Sequence, residues 1–291
     1  MTGSVERVKE LSIWAGAVNP QPLSGGLSNE SFTVEDNGRK YVVRFGEDFP
    51  FHHVSRDNEH MASAAAFEAG FAPEMVYAGD GVMVLRFIEG KTYDDGDVRK
   101  NIERVADLAR RFHTEMPAYV SGPGRLFWPF HVVRDYAKTL EKGGSRMMPE
   151  VPGYLELSAE LEAVQPPLPL IYSHNDLLPA NFIDDGDRIW LIDYEYAAYS
   201  TAMFDLAGIA SNALFEPSQD AELLAIYFGS KPGAELIKAH AAMKCASLLR
   251  EAMWSMVSEI HLDAPGVDYV AYTEENLERL KASLDAYRSR F

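Results

Sequence analysis

Polar and apolar residues take turns along two early runs, Ser31-Phe-Thr-Val-Glu35 and Lys40-Tyr-Val-Val-Arg-Phe45, with Asp36-Asn-Gly-Arg39 between them. Near-alternation of this kind describes strands with one buried face. Asn-Gly between two such runs predicts a hairpin, because a type I′ turn needs positive φ at both central residues. Apolar residues at helical spacing over 5–15 predict a capping helix, and the Ala-rich stretch 56–69, which carries Glu59, predicts a second. Glu74-Met-Val-Tyr77 and Val82-Met-Val-Leu-Arg-Phe87 predict two more strands around Gly79-Asp-Gly81. Phe87-Ile-Glu-Gly90 then reads as a hinge.

From residue 97 the period changes. Ile102, Val105, Leu108, Ala109 and Phe112 keep helical spacing and predict one helix over 98–116. The Gly- and Pro-rich stretch 122–129 predicts a loop. Further helices are expected at 130–142, 153–164, 201–214, 219–228, 232–260 and 269–287, interrupted by a short strand pair near 171 and 189. This order predicts an α+β chain in two lobes around a cleft. Residues 1–88 would form a nucleotide-binding lobe with an antiparallel sheet, and 89–291 a mainly helical lobe for catalysis and acceptor binding.

Composition narrows the field. A chain of 291 residues with 47% apolar and 24% charged residues is ordinary for a soluble protein. A net charge of −17 argues against nucleic-acid partners and suits a small cationic substrate. The single cysteine, Cys245, rules out an internal disulfide and fits a reducing compartment. The N-terminus lacks a signal pattern and no run reaches the apolar length of a membrane span, so a cytoplasmic protein without membrane insertion is expected. Oligomeric state is not legible.

The candidate chemistry lies in Ile171-Tyr-Ser-His-Asn-Asp-Leu-Leu-Pro-Ala-Asn181 and Ile189-Trp-Leu-Ile-Asp193. In H-x-D-x-x-x-x-N, the Asp can take a hydroxyl proton and the Asn can bind a metal, while an Asp after a later strand binds metal again. Those roles fall on Asp176, Asn181 and Asp193. His174 would brace the catalytic loop by bonding backbone near Asp193, and Asp205 would brace it from behind. Gly25, Gly26, Ser28 and Asn29 could cradle phosphates. Val42 would roof the base of the nucleotide, with Arg44 two residues on gripping phosphate and Glu59 holding Arg44. Phe87 and Ile88 would meet the base at the hinge. These assignments imply ATP and Mg2+ as cofactors.

Together, Gly25-Gly-Leu-Ser-Asn29, Tyr41-Val-Val-Arg44, His174-Asn-Asp-Leu-Leu-Pro-Ala-Asn181, Leu191-Ile-Asp-Tyr-Glu-Tyr196 and Met203-Phe-Asp-Leu-Ala207 resemble the choline and ethanolamine kinase family, within the wider aminoglycoside phosphotransferase group of protein kinase-like fold. The resemblance implies transfer of the ATP γ-phosphate to the hydroxyl of a small amino alcohol. It implies an acceptor pocket of aromatics and acids, for which Glu195, Tyr196, Tyr199, Trp254, Tyr269 and Tyr272 are the candidates. Cation–π contact with such rings is worth about 0.5–2 kcal/mol each. A second tryptophan common in relatives is missing near Trp254, where Met256 and Val257 follow. Two alternatives stay open: a phosphotransferase for aminoglycosides or other sugar alcohols, and an inactive kinase-like binding module.

Overall fold

The computed structural model describes residues 2–23, 29–264 and 266–291. Its first part is helix α1 (Thr2–Lys9) and five antiparallel strands, β1 (Gln21–Leu23), β2 (Glu30–Asp36), β3 (Arg39–Phe45), β4 (Met75–Gly79) and β5 (Val82–Arg86), in the order β1-β2-β3-β5-β4. The hairpin turn joins β2 to β3 with φ of 49° at Asn37 and 71° at Gly38, the two positive values a type I′ turn requires. Pairing of Phe32 with Val43, and of Val43 with Val84, gathers Phe32, Val34, Val43, Phe45, Val82 and Val84 on one face over Val8. The opposite face therefore carries Val42 and Arg44. α1 is shorter than the expected 5–15 helix. The Trp14 indole donates to the Val8 carbonyl and satisfies the last turn where the helix stops.

α2 (Arg56–Glu68) follows a short 3-10 turn, Pro50–His52. Its alanines Ala62, Ala65 and Ala66 let it sit close against Phe71 and Phe112 of a second core. Beyond β6 (Lys91–Thr92), the single helix expected over 98–116 is two, α3 (Asp95–Lys100) and α4 (Ile102–Glu115). Asn101 breaks it: its backbone leaves helical values and its side-chain amide donates back to the Asp97 carbonyl, 2.9 Å away. An Asn that bonds its own preceding turn competes with helix continuation.

α5 (Pro129–Gly143), α6 (Val151–Ala163), α7 (Ala202–Asn212), α8 (Pro217–Phe228), α9 (Ala234–His261) and α10 (Tyr269–Arg290) build the rest, with α9 buried through the centre against α5, α6, α7 and α10. The expected strand pair needs correction. β7 (Leu170–Ser173) pairs with β10 (Ala198–Thr201), whereas β9 (Ile189–Leu191) pairs with β8 (Phe182–Asp184), which pairs with β6. The tight Asp184–Arg188 turn causes this. Gly186 at φ 98° and bonds from the amides of Asp187 and Arg188 to the Asp185 carboxylate fold β9 back onto β8. Among the described residues, no helix is long and apolar enough to cross a membrane.

Candidate active site

The loop after β7 is tied from three sides. Asp205, buried at the start of α7, accepts the backbone amides of His174 (2.8 Å) and Asn175 (2.7 Å) and faces His113 Nε2 at 2.8 Å. Tyr227 closes this chain at His113 Nδ1, 2.8 Å away. Asn175 takes a left-handed φ of 62° and donates its side-chain amide to the Tyr196 carbonyl at 3.0 Å. His174 is fully buried, and Nε2 lies 3.0 Å from the Ile192 carbonyl. Since that oxygen only accepts, Nε2 carries the proton. Burial lowers the His174 pKa, so the ring is a neutral strut between the two loops.

Asn181 completes the knot. Its Nδ2 donates to the Asp176 carbonyl at 2.8 Å, and its own carbonyl accepts from Ile192 N at 3.1 Å. Asp176, Asn181 and the segment just before Asp193 are thus cross-bonded within one small region. Burial pushes the Asp176 carboxyl well above the usual range; Arg250 opposes the shift, and Asp193, Glu251 and Glu195 add to it. Asp205 behaves differently. Burial alone would raise it, but the bond and charge of His113 hold it below the ordinary value. We expect Asp205→Asn to cost about 3–5 kcal/mol in urea unfolding, the usual penalty for breaking a buried pair. A carboxyl with a folded pKa below its unfolded one stabilises above about pH 4 and loses that contribution as pH falls further. The variant's disadvantage should therefore shrink below that pH.

Arg44 reaches into this knot from β3. Its guanidinium lies 2.9 Å from both Glu59 and Asp193, and 3.8 Å from Glu195. Burial works against its charge, yet the three carboxylates more than offset this and raise its pKa. A second guanidinium, Arg56 at the start of α2, pairs with Glu59, with Glu195 at 3.2 Å and with Asn29 Oδ1 at 2.9 Å. Two guanidiniums are thereby interleaved with three carboxylates. Glu195 is raised by burial first and by Asp193 second, against the pull of Arg44 and Arg56. Asp193 itself sits at φ 69°, with its side chain 30% exposed at the cleft.

An aromatic cluster gathers around Trp254 on α9. The Trp254 ring stacks on His52 (centroids 4.7 Å apart) and meets Tyr269 and Tyr272 edge-on at 6.3 and 6.2 Å. Its indole N–H donates to the Tyr196 hydroxyl at 2.9 Å. His52 arrives on the Pro50–His52 turn, which also stacks Phe51 on His261 (4.5 Å) and is followed by the His53–Asp135 pair at 2.9 Å. Burial first, then the nearby Arg250 charge, drives the His52 pKa down to about 2, so that ring is neutral. Tyr272 donates to Glu251 at 2.8 Å, and Arg250 lies 3.2 Å from the same carboxylate.

The residues singled out in the sequence thus divide. Asp176, Asn181, His174, Asp193, Arg44 and Glu59 converge, with Asn29 linked to them through Arg56 and Glu195. Val42 lies on the Arg44 face of β3, paired with Leu85, and Phe87 N bonds the Lys40 carbonyl where the β3–β5 pairing ends, just before Ile88. Gly25, Gly26 and Ser28 lie outside the described residues. Tyr196, Trp254, Tyr269 and Tyr272 share the aromatic cluster. Glu195 and Tyr199 do not: Glu195 sits among the guanidiniums, and Tyr199 on β10 packs on Tyr172 at 5.3 Å. Ion pairing with Arg44 and Arg56 holds Glu195 away from the rings, and alternation along β10 turns Tyr199 toward Tyr172. Sequence reasoning missed Arg56, Arg250, Glu251 and His52. Arg56 had a signal, since it lies three residues before Glu59 on one helix face.

Asn181 and Asp193 offer hard oxygen donors, and the Asn181 amide nitrogen is already engaged, leaving its oxygen end for a cation. Magnesium commonly takes one or two protein oxygens together with phosphates and waters, so this donor set fits it.

Residues 20–240 match the phosphotransferase enzyme family. The chain is similar to a probable ethanolamine kinase of Arabidopsis thaliana, 26% identical over 87% of this chain and 77% of that one. Among solved structures, it resembles a choline/ethanolamine kinase family protein from Mesorhizobium loti, with a TM-score of 0.77 and 26% identity over 97% of this chain and 94% of that one. A spectinomycin phosphotransferase solved with ADP and spectinomycin has a TM-score of 0.63 and 12% identity over 97% and 98% of the two chains, and shares the fold alone.

Proposed function

The chain belongs to the phosphotransferase enzyme family and is an ATP-dependent phosphotransferase acting on an alcohol, and from that premise we propose that its acceptor is a small amino alcohol such as choline or ethanolamine, with magnesium as the metal. The observation that carries the reading is the position of Asp176, which lines one narrow cleft with Arg250 and Glu251 and lies within reach of the Asp193 and Glu195 charges, while Glu251 accepts from Tyr272 of the aromatic cluster.

In this reading, Arg44 grips the phosphates, positioned by Glu59, and Arg56 holds Glu59 and Glu195 in register. Asn181 and Asp193 hold magnesium, which when bound supplies positive charge to the phosphate oxygens. Asp176 orients the acceptor hydroxyl and receives its proton as the phosphoryl group transfers. His174 touches neither reactant and acts as a positioning residue. Val42, Phe87 and Ile88 receive the base of the nucleotide. The lobe boundary falls at 88/89, and the working compartment is the cytoplasm. Tyr196, Trp254, Tyr269 and Tyr272 back the acceptor site, and an acidic chain with net charge −17 favours a cationic acceptor.

ADP release with magnesium, measured across amino alcohols, amino sugars and aminoglycosides, tests the acceptor. Turnover should be fastest with the amino alcohols. Turnover confined to amino sugars or aminoglycosides would replace this reading with the antibiotic-type one. Nucleotide binding without ADP release on any acceptor would point to an inactive module.

A further inference from the structure

Trp254 is poorly placed to serve as an open cation–π face. It is only 6% exposed, one indole face is covered by His52, its N–H is spent on Tyr196, and two tyrosines press on it edge-on. A quaternary ammonium draws its affinity from several accessible ring faces. One helical turn earlier on α9, Glu251 offers something else. Its side chain is 21% exposed and lines the same narrow cleft as Asp176. Tyr272 fixes one carboxylate oxygen at 2.8 Å, and Arg250 fixes the other at 3.2 Å. Arg250 itself is sealed behind, with its guanidinium over the rings of Tyr196 and Phe204 at 5.2 and 6.0 Å. Each carboxylate oxygen has a second lone pair, so a pinned Glu251 can still accept from a ligand.

We propose that Glu251 is a specificity-determining residue, which selects acceptors whose ammonium carries N–H bonds over fully N-methylated ones; the inference rests on the amino-alcohol reading above. A primary ammonium gives Glu251 a charge-assisted hydrogen bond, short and directional. Each N-methyl removes a donor and holds the charge farther from the carboxylate. The last methyl leaves only an unoriented Coulomb attraction, in a cleft where the best ring is already covered.

The test is kcat/KM with ATP and magnesium for 2-aminoethanol and its N-methyl, N,N-dimethyl and N,N,N-trimethyl derivatives, in the wild type and in E251Q. The wild type should favour 2-aminoethanol over the trimethyl compound by roughly 10- to 100-fold, the span expected for one hydrogen bond to a charged group. In E251Q the ratio should collapse, mainly through a higher KM for 2-aminoethanol. A wild type that prefers the trimethyl compound overturns the inference, and so does an unchanged ratio in E251Q. If E251Q does not fold, the wild-type order across the series still decides. No turnover of any of the four, alongside turnover of an amino sugar, overturns the acceptor reading itself and this inference with it.

Discussion

Asp176→Asn should leave a folded protein whose ATP-dependent turnover is cut by about 10²–10⁴-fold, the usual worth of a positioned acid–base group. Asn keeps the shape and can still touch a hydroxyl, but it cannot take the proton. The stability of the same variant gives an independent reading. Burial raises the Asp176 pKa in the folded protein, with Asp193 and Glu251 adding to it against Arg250. A raised carboxyl contributes stability that is fully present below its unfolded pKa, about 3.9, and is lost as pH rises through the folded value. At pH 8 the ionised side chain is therefore a burden that Asn lacks. The variant should melt at or above the wild-type temperature at pH 8, and the gap should close or reverse toward pH 4. The acidic limb of the wild-type kcat/KM profile should correspondingly lie above the ordinary Asp range. Steady-state ADP release and thermal melts at the two pH values check both halves. Wild-type turnover in the variant would remove Asp176 from the chemistry.

Asp193→Asn is expected to lower kcat by about 10²–10³-fold, the range found when one electrostatic contact to a transition state is deleted. The choice of Asn matters. Asp193 holds φ at 69°, a region that Asn tolerates and Ala does not. The Asn oxygen can also still accept from Arg44, now at 2.9 Å from Asp193. Backbone and arginine contact are thus preserved while the anionic ligand is lost. The magnesium concentration for half-maximal activity should rise by at least roughly tenfold, about 1.4 kcal/mol of lost attraction. A magnesium titration of ADP release reads this directly. An unchanged magnesium dependence would strip Asp193 of its metal role. Asp193→Ala should show the same kinetic loss together with a lower melting temperature.

What the sequence made legible was local. Asn37-Gly38 dictated the hairpin, and alternation along β3 set Arg44 apart from Val43 and Phe45. The bond from His174 to the backbone before Asp193 and the bracing by Asp205 also followed from residue type and spacing. What stayed hidden was pairing at long range. β6 has only Lys91 and Thr92, too short for any pattern, yet it completes the sheet of β8 and β9. The α9 segment around Glu251 reads as a buried helix, and the role of Glu251 depends on Tyr272 from the next helix. His52 meets Trp254 across two hundred residues of chain, from a turn that carries no period. Glu195 and Tyr199 were grouped with the aromatics because they are neighbours in sequence, but the chain from Asp193 to Thr201 sends successive side chains to different sides.

The Pro50–His52 turn has a mechanical consequence. Beyond the covalent link at 87–90, this turn fastens the sheet part to the helical body, with Phe51 seated on His261 and His52 on Trp254. The Arg44–Asp193 and Arg56–Glu195 ion pairs tie the two parts together as well, so parting the sheet from the helical body means unstacking these rings in addition to breaking those pairs.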